Sequence, residues 1–465
     1  MVTQTPKGSK GLPPKQIQLP AWPAWIRSFY VNRMIARPWV DPICLWAITQ
    51  KIMPLSKLWA LVGDPNGNIE QLWVQAPPLK HRANFVKIYD LLKGWQKEAV
   101  AQEQLWQNIM WAGQDFSDEK IWEANQQKQQ AWQRWIIQGK RKLLPYASSL
   151  RLPKINFHVP DASHQPIKTD AIFQQVISLS QKLPVINVSK KLPTQKGQQY
   201  WLTFSNGLEN VWARVFEPPL SKNQGTLIYC HGWGVEGELS GLPLEPEIGH
   251  LINCGIRVIR LESSAHGRRC QPGYYDGERI FAGAPPALVE FMMQQVHEIG
   301  VLLHWCKLEN KGPVALGGTS LGALSSQTYV SLNKRLQLYP QPDILYLSAT
   351  DPDILALAGD SQLCIKSGLS AALTQAGWSK DKLDAYQPLV QVSPEPPINP
   401  NHIIMVMGNK DQVTSYQRAK ELAIKWQVKT NHLFERRQGH FSLQLGLLGD
   451  PAPINSLYHL LQHLR

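Results

Sequence analysis

The sequence predicts a mixed α/β architecture over residues 199–465: a mostly parallel eight-stranded sheet with helices on both faces, preceded by a tryptophan-rich helical region. Three observations carry this expectation. From residue 200 onward, short β-rich runs alternate with helical stretches. Twelve of the chain's 18 tryptophans (Trp22, Trp25, Trp39, Trp46, Trp59, Trp73, Trp95, Trp106, Trp111, Trp122, Trp132 and Trp135) lie before residue 136. Charge divides in the same way, since residues 1–150 hold 19 Lys and Arg against 10 Asp and Glu, nine of the thirteen surplus positive charges. A chain of 465 residues, 43% apolar and 18% charged, is ample for two such unlike parts.

Taken in order, residues 1–20 are rich in Pro, Gly and Lys and predict a disordered tail. Residues 21–146 predict a helical region. Within it Trp22, Trp25, Ile26, Phe29 and Tyr30 recur at helical spacing among Arg27, Arg33 and Arg37. Ser117 is placed to cap a helix with Asp118 and Glu119 in its first turn and Lys140, Arg141 and Lys142 at its end, a charge order that suits the helix dipole. Pro145 is expected to stop it. Residues 147–198, with many Pro, Ser and Lys, predict a linker with little regular structure.

Strand-like runs follow at 200–204, 211–216, 226–230, 257–261, 314–316, 344–347, 403–407 and 432–435. Helical stretches lie near 245–253, 286–308, 321–332, 415–426 and 454–463. Asn206-Gly207 joins the first two runs and signals an antiparallel hairpin. The remainder alternate as βαβ units and so imply parallel pairing.

The chemistry concentrates at strand ends. Gly318-Thr319-Ser320-Leu321-Gly322 follows an apolar run and opens an apolar helical stretch. That strand–turn–helix setting marks a nucleophile elbow, in which the serine sits in a strained turn and Gly318 and Gly322 leave room for strand and helix to approach. A neutral serine is a poor nucleophile. It needs an imidazole to take its proton and a carboxylate to hold that imidazole's tautomer. Asp411 stands in Gly408-Asn409-Lys410-Asp411 after the buried-strand pattern at 403–407, and His440 stands in Gly439-His440-Phe441 after the last run. Asp351, also after a strand, is the reserve acid. His231, in His231-Gly232-Trp233-Gly234, reads as a structural residue that pins its loop.

The chain order Ser320, Asp411, His440 resembles that of the α/β-hydrolase superfamily, over about residues 200–465. The resemblance implies a catalytic triad of these three residues. It also implies an oxyanion hole from the backbone N–H groups of Trp233 and Leu321, each such donor worth about 3–4 kcal/mol in the transition state. A narrower similarity is to the α/β-hydrolase domain-containing protein 18 family. It rests on Leu302-Leu303-His304-Trp305, Lys311-Gly312-Pro313, the elbow GGTSLGA, and a loop with Arg268, Arg269, Cys270 and Pro272. That family is associated with lipid deacylation.

Two segments are placed to shape the substrate site. Residues 351–401 form an insertion that reads as a cap. The loop 262–285 carries His266, Arg268, Arg269 and Arg279, which could meet a phosphate or carboxylate. The expected activity is hydrolysis of a carboxylic ester, acyl-lipid or otherwise apolar, through an acyl-enzyme on Ser320. An acyltransferase using the same triad, or a non-catalytic scaffold binding lipid or a partner, remains open. No metal or organic cofactor is implied.

The early tryptophans either pack a helical domain on the core or, with their Lys and Arg neighbours, dock residues 21–146 on an anionic membrane or lipid droplet. No run of eighteen apolar residues occurs, and the N-terminus lacks the apolar stretch of a secretory signal. Six scattered cysteines without a C-x-x-C pair fit a reducing compartment. The expected location is therefore cytoplasmic, either free or membrane-peripheral. Despite the +13 charge, no nucleic-acid motif appears and no basic run exceeds Lys140-Arg141-Lys142, so nucleic acid is not an expected partner.

Overall fold

The computed structural model describes the chain except for residues 1–32, 76–81, 148–149, 151, 164–168, 195, 220–224, 236–244 and 465. The expected tail at 1–20 and the cluster Trp22, Trp25, Ile26, Arg27, Phe29 and Tyr30 lie outside the described residues.

In the N-terminal region, α1 (Val40–Ala47) continues through a π-helical turn into α2 (Met53–Gly63). The long α3 (Arg82–Met110) packs on α4 (Asp118–Gln133). Ser117 caps α4 by accepting from the Lys120 N–H at 3.3 Å. A second π-helical turn leads from α4 into α5 (Gly139–Ala147), so the helix runs past Pro145 rather than ending there. A proline this close to the end removes a single late backbone donor, which the final turn tolerates.

The segment 147–198, expected to be a linker with little regular structure, carries α6 (Thr169–Gln181) and two short strands, β1 (Asn187–Val188) and β2 (Leu192–Thr194). Both pair antiparallel with β3 (Gly197–Ser205), making a ten-stranded sheet where eight strands are expected. Runs of two and three residues are too short to show a period of two, so their pairing partner and not their sequence makes them strands.

β3 covers the first expected run, and seven strands cover the other seven: β4 (Asn210–Glu217), β5 (Thr226–Cys230), β6 (Arg257–Glu262), β7 (Val314–Thr319), β8 (Ile344–Ser348), β9 (Ile403–Gly408) and β10 (Leu433–Arg436). Their order is β3-β4-β6-β5-β7-β8-β9-β10, antiparallel from β3 to β6 and parallel from β6 to β10. This is the α/β-hydrolase fold. β5, β6, β8 and β9 are buried along their whole length, as parallel strands covered on both faces must be. The covering helices are α7 (Pro246–Asn253), α8 (Glu278–Ala282), α9 (Pro286–Glu309), α10 (Leu321–Leu336), α11 (Tyr416–Lys425), α12 (His440–Gly449) and α13 (Ala452–His463). Between β8 and β9 five short helices fill the insertion, from Ile354–Asp360 to Gln387–Val390.

The N-terminal region is built onto this core. Leu45, Met53 and Ala60 belong to the same buried cluster as Ile228, Leu316 and Phe281. Trp106 is fully buried and packs edge-on against Trp201 of β3, with centroids 4.7 Å apart, while Trp111 meets Trp212 of β4 at 5.4 Å. The ammonium of Lys128 lies 3.6 Å from the centre of the Trp106 ring. Of the ten described early tryptophans, Trp106 and Trp135 are buried, six are half-buried, and Trp39 and Trp46 are exposed. Most therefore pack, and two do not.

Candidate active site

The serine turn is where local sequence and fold agree most closely. Ser320 joins β7 to α10 with φ 54° and ψ −121°, the strained conformation expected of an elbow. Its N–H donates to the Ser348 carbonyl at 2.9 Å, which fixes the turn to β8. The two glycines are required by space. A Cβ on Gly318 would stand 2.1 Å from the Cys230 carbonyl oxygen, and one on Gly322 only 1.9 Å from that same atom. The end of β5 thus fills the room that any side chain would need.

Below the elbow, Thr319 donates through Oγ1 to Glu247 at 3.2 Å and accepts from the Gln444 amide at 2.9 Å. Burial pushes the Glu247 carboxyl up to about 7. Gln444, on α12, also donates to Ser348 Oγ at 3.0 Å and so joins the elbow to the helix that carries the histidine.

Ser320, Asp411 and His440 meet although 91 and 29 residues separate them in turn. His440 Nε2 lies 3.0 Å from Ser320 Oγ, and Nδ1 lies 2.8 Å from Asp411 Oδ2. An Nδ1–H held by the carboxylate leaves Nε2 as the acceptor facing the serine hydroxyl. Asp411 is fixed in turn by the N–H groups of Val413 (2.7 Å) and Thr414 (2.9 Å) and by the Thr414 hydroxyl (2.8 Å). Burial disfavours the imidazolium. The charge and hydrogen bond of Asp411, followed by the charge of Asp41, outweigh it and set the His440 pKa above its ordinary 6.5.

Asp351 has a different setting. It is fully buried, with Arg418 Nε at 2.8 Å on one oxygen and Arg418 Nη2 at 2.7 Å on the other, and the Ser415 N–H at 2.7 Å. Both oxygens are committed to a structural ion pair.

His231 is also structural. Its Nδ1 donates to the Gly232 carbonyl at 2.8 Å and its Nε2 accepts from the Ser263 N–H at 3.1 Å. Burial, then the nearby Arg260, keeps it far below its ordinary pKa and therefore neutral. Trp233 follows on this pinned loop. Its indole N–H donates to the Gly277 carbonyl at 2.9 Å and its ring stacks on Phe281 at 4.9 Å. The backbone N–H groups of Trp233 and Leu321 form no hydrogen bond among the described residues.

The basic loop 262–285 departs from expectation. His266 is buried, accepts from the Gly234 N–H at 3.2 Å, and burial drives its pKa down to about 4. Arg269 is paired with Glu298 (2.5 Å) and Glu209 (2.7 Å), and Arg268 with Glu262 (3.0 Å) and Glu103 (2.8 Å). Arg268 and Arg269 are held by carboxylates of the same chain, of which Glu103, Glu209 and Glu298 are distant in sequence and Glu262 lies in the loop itself, and of the basic side chains only Arg279 is exposed.

Sequence reasoning passed over two side chains. Lys57 of α2, 1% exposed, binds Glu278 at 2.8 Å and the Gly273 carbonyl at 3.0 Å. Asp41 of α1 reaches the first turn of α12, accepting from the Phe441 N–H at 2.7 Å. A lone Lys or Asp in a helix carries no local sign of such a partner.

No protein-family model matches the sequence, and no curated protein matches it. Among solved structures the chain is similar to acetyl xylan esterase 1 from Thermoanaerobacterium sp., at 14% identity, covering 63% of this chain and 97% of that one, with a TM-score of 0.41. It is also similar to an acetyl xylan esterase from Paenibacillus sp. R4 (12% identity, 60% and 90% covered, TM-score 0.42) and to an arylesterase (14%, 65% and 94%, 0.40). The fold assignment rests on the strand order and register.

Proposed function

We propose that the protein is a serine hydrolase of carboxylic esters, with Ser320 as nucleophile, His440 as general base and Asp411 as its orienting carboxylate. The observation that carries this reading is the continuous hydrogen-bonded chain from Asp411 through His440 to Ser320. Ser320 Oγ attacks the ester carbonyl while its proton passes to His440 Nε2, and the N–H groups of Trp233 and Leu321 are the donors available to the oxyanion. The proton then goes to the departing alkoxide, leaving an acyl group on Ser320. Water, deprotonated by the same imidazole, attacks the acyl carbonyl and releases the acid and the free serine.

A fluorophosphonate probe tests this. Wild type is expected to be labelled, and Ser320→Ala is not. Unlabelled wild type, or undiminished labelling of the variant, contradicts the reading. Because His440 must be neutral to act, labelling and ester turnover are expected to rise with pH along a limb lying above pH 6.5. A limb below that value contradicts the charge arrangement.

The substrate class we favour is an acyl-lipid or similarly apolar ester. The sequence resemblance to a lipid-deacylating family supports it, as does one surface of α1. Trp39, Ile43 and Trp46, spaced i, i+4 and i+7, are 57%, 54% and 54% exposed on a single face. Met34 and Ile52 are exposed as well, and the Lys51 ammonium lies 5.8 Å from the centre of the Trp46 ring. Indole rings flanked by cations suit the headgroup region of an anionic bilayer, each cation adding about 1 kcal/mol. The full chain is expected to co-sediment with phosphatidylserine-containing vesicles at low salt. A Trp39→Ser/Ile43→Ser/Trp46→Ser variant is expected to remain in the supernatant. Equal sedimentation of the two proteins rejects this surface. No helix among the described residues is long and apolar enough to cross a membrane.

A further inference from the structure

We propose that Asp41, from the N-terminal helical region, is a positioning residue for His440, so that the catalytic geometry is completed by a side chain about four hundred positions away in sequence. This rests on the reading of His440 as general base.

α12 begins at His440, so the placement of this helix decides where both imidazole nitrogens point. The first N–H groups of a helix have no partner within it. Here Asp41 supplies one. Its Oδ1 accepts from the Phe441 N–H at 2.7 Å and the Ser442 N–H at 3.2 Å, and its Oδ2 accepts from the Ser442 hydroxyl. Ser442 Oγ in turn accepts from the Gly439 N–H at 2.8 Å. The fit is close: a Cβ on Gly439 would lie 2.4 Å from the Asp41 carboxyl carbon. Gln438 makes a second tie, donating to the Ala36 carbonyl at 2.9 Å. The residues on both sides of His440 are therefore held by α1 and the turn before it.

Geometry is half of the effect and charge is the other. The ionised groups acting on the imidazole are Asp411, from the loop after β9, and Asp41, from α1. Cys44, the neighbouring titratable group on α1, has its thiol pKa raised by burial and then by Asp41, so it stays neutral. Both carboxylates favour the imidazolium that forms as Ser320 gives up its proton. Asp41 occupies the face of α1 opposite Trp39, Ile43 and Trp46, since residue 41 stands about 200° around the helix from residue 39. One helix thus presents a surface outward and grips the histidine helix inward.

The experiment compares full-length wild type, Asp41→Asn and Asp41→Ala in three readouts: p-nitrophenyl ester kinetics, pH profiles and NMR titration of the His440 ring. In Asp41→Ala, kcat is expected to fall about 100-fold with KM little changed, because the base loses its alignment. Asp41→Asn keeps an oxygen for the Phe441 N–H and loses the charge. It is expected to recover most of kcat while its acid limb and His440 titration move to lower pH. That shift is outside the reach of a purely structural role, and the near-isosteric variant covers the case in which Asp41→Ala fails to fold. Wild-type kcat in Asp41→Ala, or an unmoved His440 titration in Asp41→Asn, overturns the proposal. If wild type neither turns over esters nor takes the probe, the ester reading fails, while the His440 titration still decides the role of Asp41.

Discussion

Asp411→Asn is expected to lower kcat for an ester about 10^4-fold, whereas Asp351→Asn keeps the chemistry and loses stability. Both residues follow a strand and both are candidate acids in the sequence. The asparagine at 411 still offers an oxygen or an amide to His440 Nδ1. Without the anion, however, neither the tautomer that leaves Nε2 free nor the developing imidazolium is favoured, which accounts for a loss of this size. Folding should change little, because the Val413 and Thr414 N–H groups can still bind the amide oxygen. At 351 the balance is reversed. The substitution leaves Arg418 facing Asp360 alone in place of two carboxylates and breaks a pair whose acid is fully buried. Breaking a buried pair destabilises by about 3–5 kcal/mol, and the partial exposure of Arg418 places this one at the lower end. Steady-state kinetics and urea unfolding of both variants separate the two roles. A larger kcat loss at 351 than at 411 would mean that the acid has been misassigned.

Lys57→Met is expected to destabilise the protein by about 3–5 kcal/mol, the penalty for leaving a buried carboxylate without its cation. Glu278 is entirely buried and is held by Lys57 at 2.8 Å, the Asn156 N–H at 3.1 Å and the Tyr275 N–H at 3.2 Å. The two amides alone do not neutralise its charge. Adding Glu278→Gln removes the charge and keeps one acceptor, so the double variant should recover part of the loss in urea unfolding. Activity should follow stability here, because Glu278 adjoins Gly277, the carbonyl that anchors the Trp233 indole. An unchanged unfolding midpoint for Lys57→Met would show that the pair is not a link between the N-terminal region and the loop 262–285.

These two expectations differ in how far the sequence could see them. The serine turn and the strand-end positions of Asp411 and His440 were legible because each is a local event: a buried strand ends, a turn with its own residue requirements follows, and a reactive side chain stands there. The choice between Asp411 and Asp351 was only half legible. Both occupy the same kind of position, and what separates them is an arginine 67 residues downstream of one of them. The basic loop was misleading for a related reason. Arg268 and Arg269 look like anion binders until the fold brings Glu103, Glu209 and Glu298 to them and Glu262 of the same loop turns back on Arg268.

The tryptophans show the same division. Their concentration before residue 136 marked an unlike N-terminal region, whose helical character and helix start at Ser117 were legible. Which rings would be buried was not readable, because Trp106 needs Trp201 of β3 and Lys128 of α4 around it, whereas Trp39 and Trp46 lie on the side of α1 turned away from the core.

By itself the sequence determined the fold class, the positions of eight of the ten strands and the residues able to form a nucleophilic centre, since these depend on periodicity, turn chemistry and order along the chain. The tertiary structure alone decided that Asp351 is taken up by Arg418, that Arg268 and Arg269 are neutralised within the chain, and that α1 reaches the helix carrying the histidine. Those outcomes depend on pairings between distant residues, where burial makes an unmatched charge or N–H costly and only a specific partner relieves it.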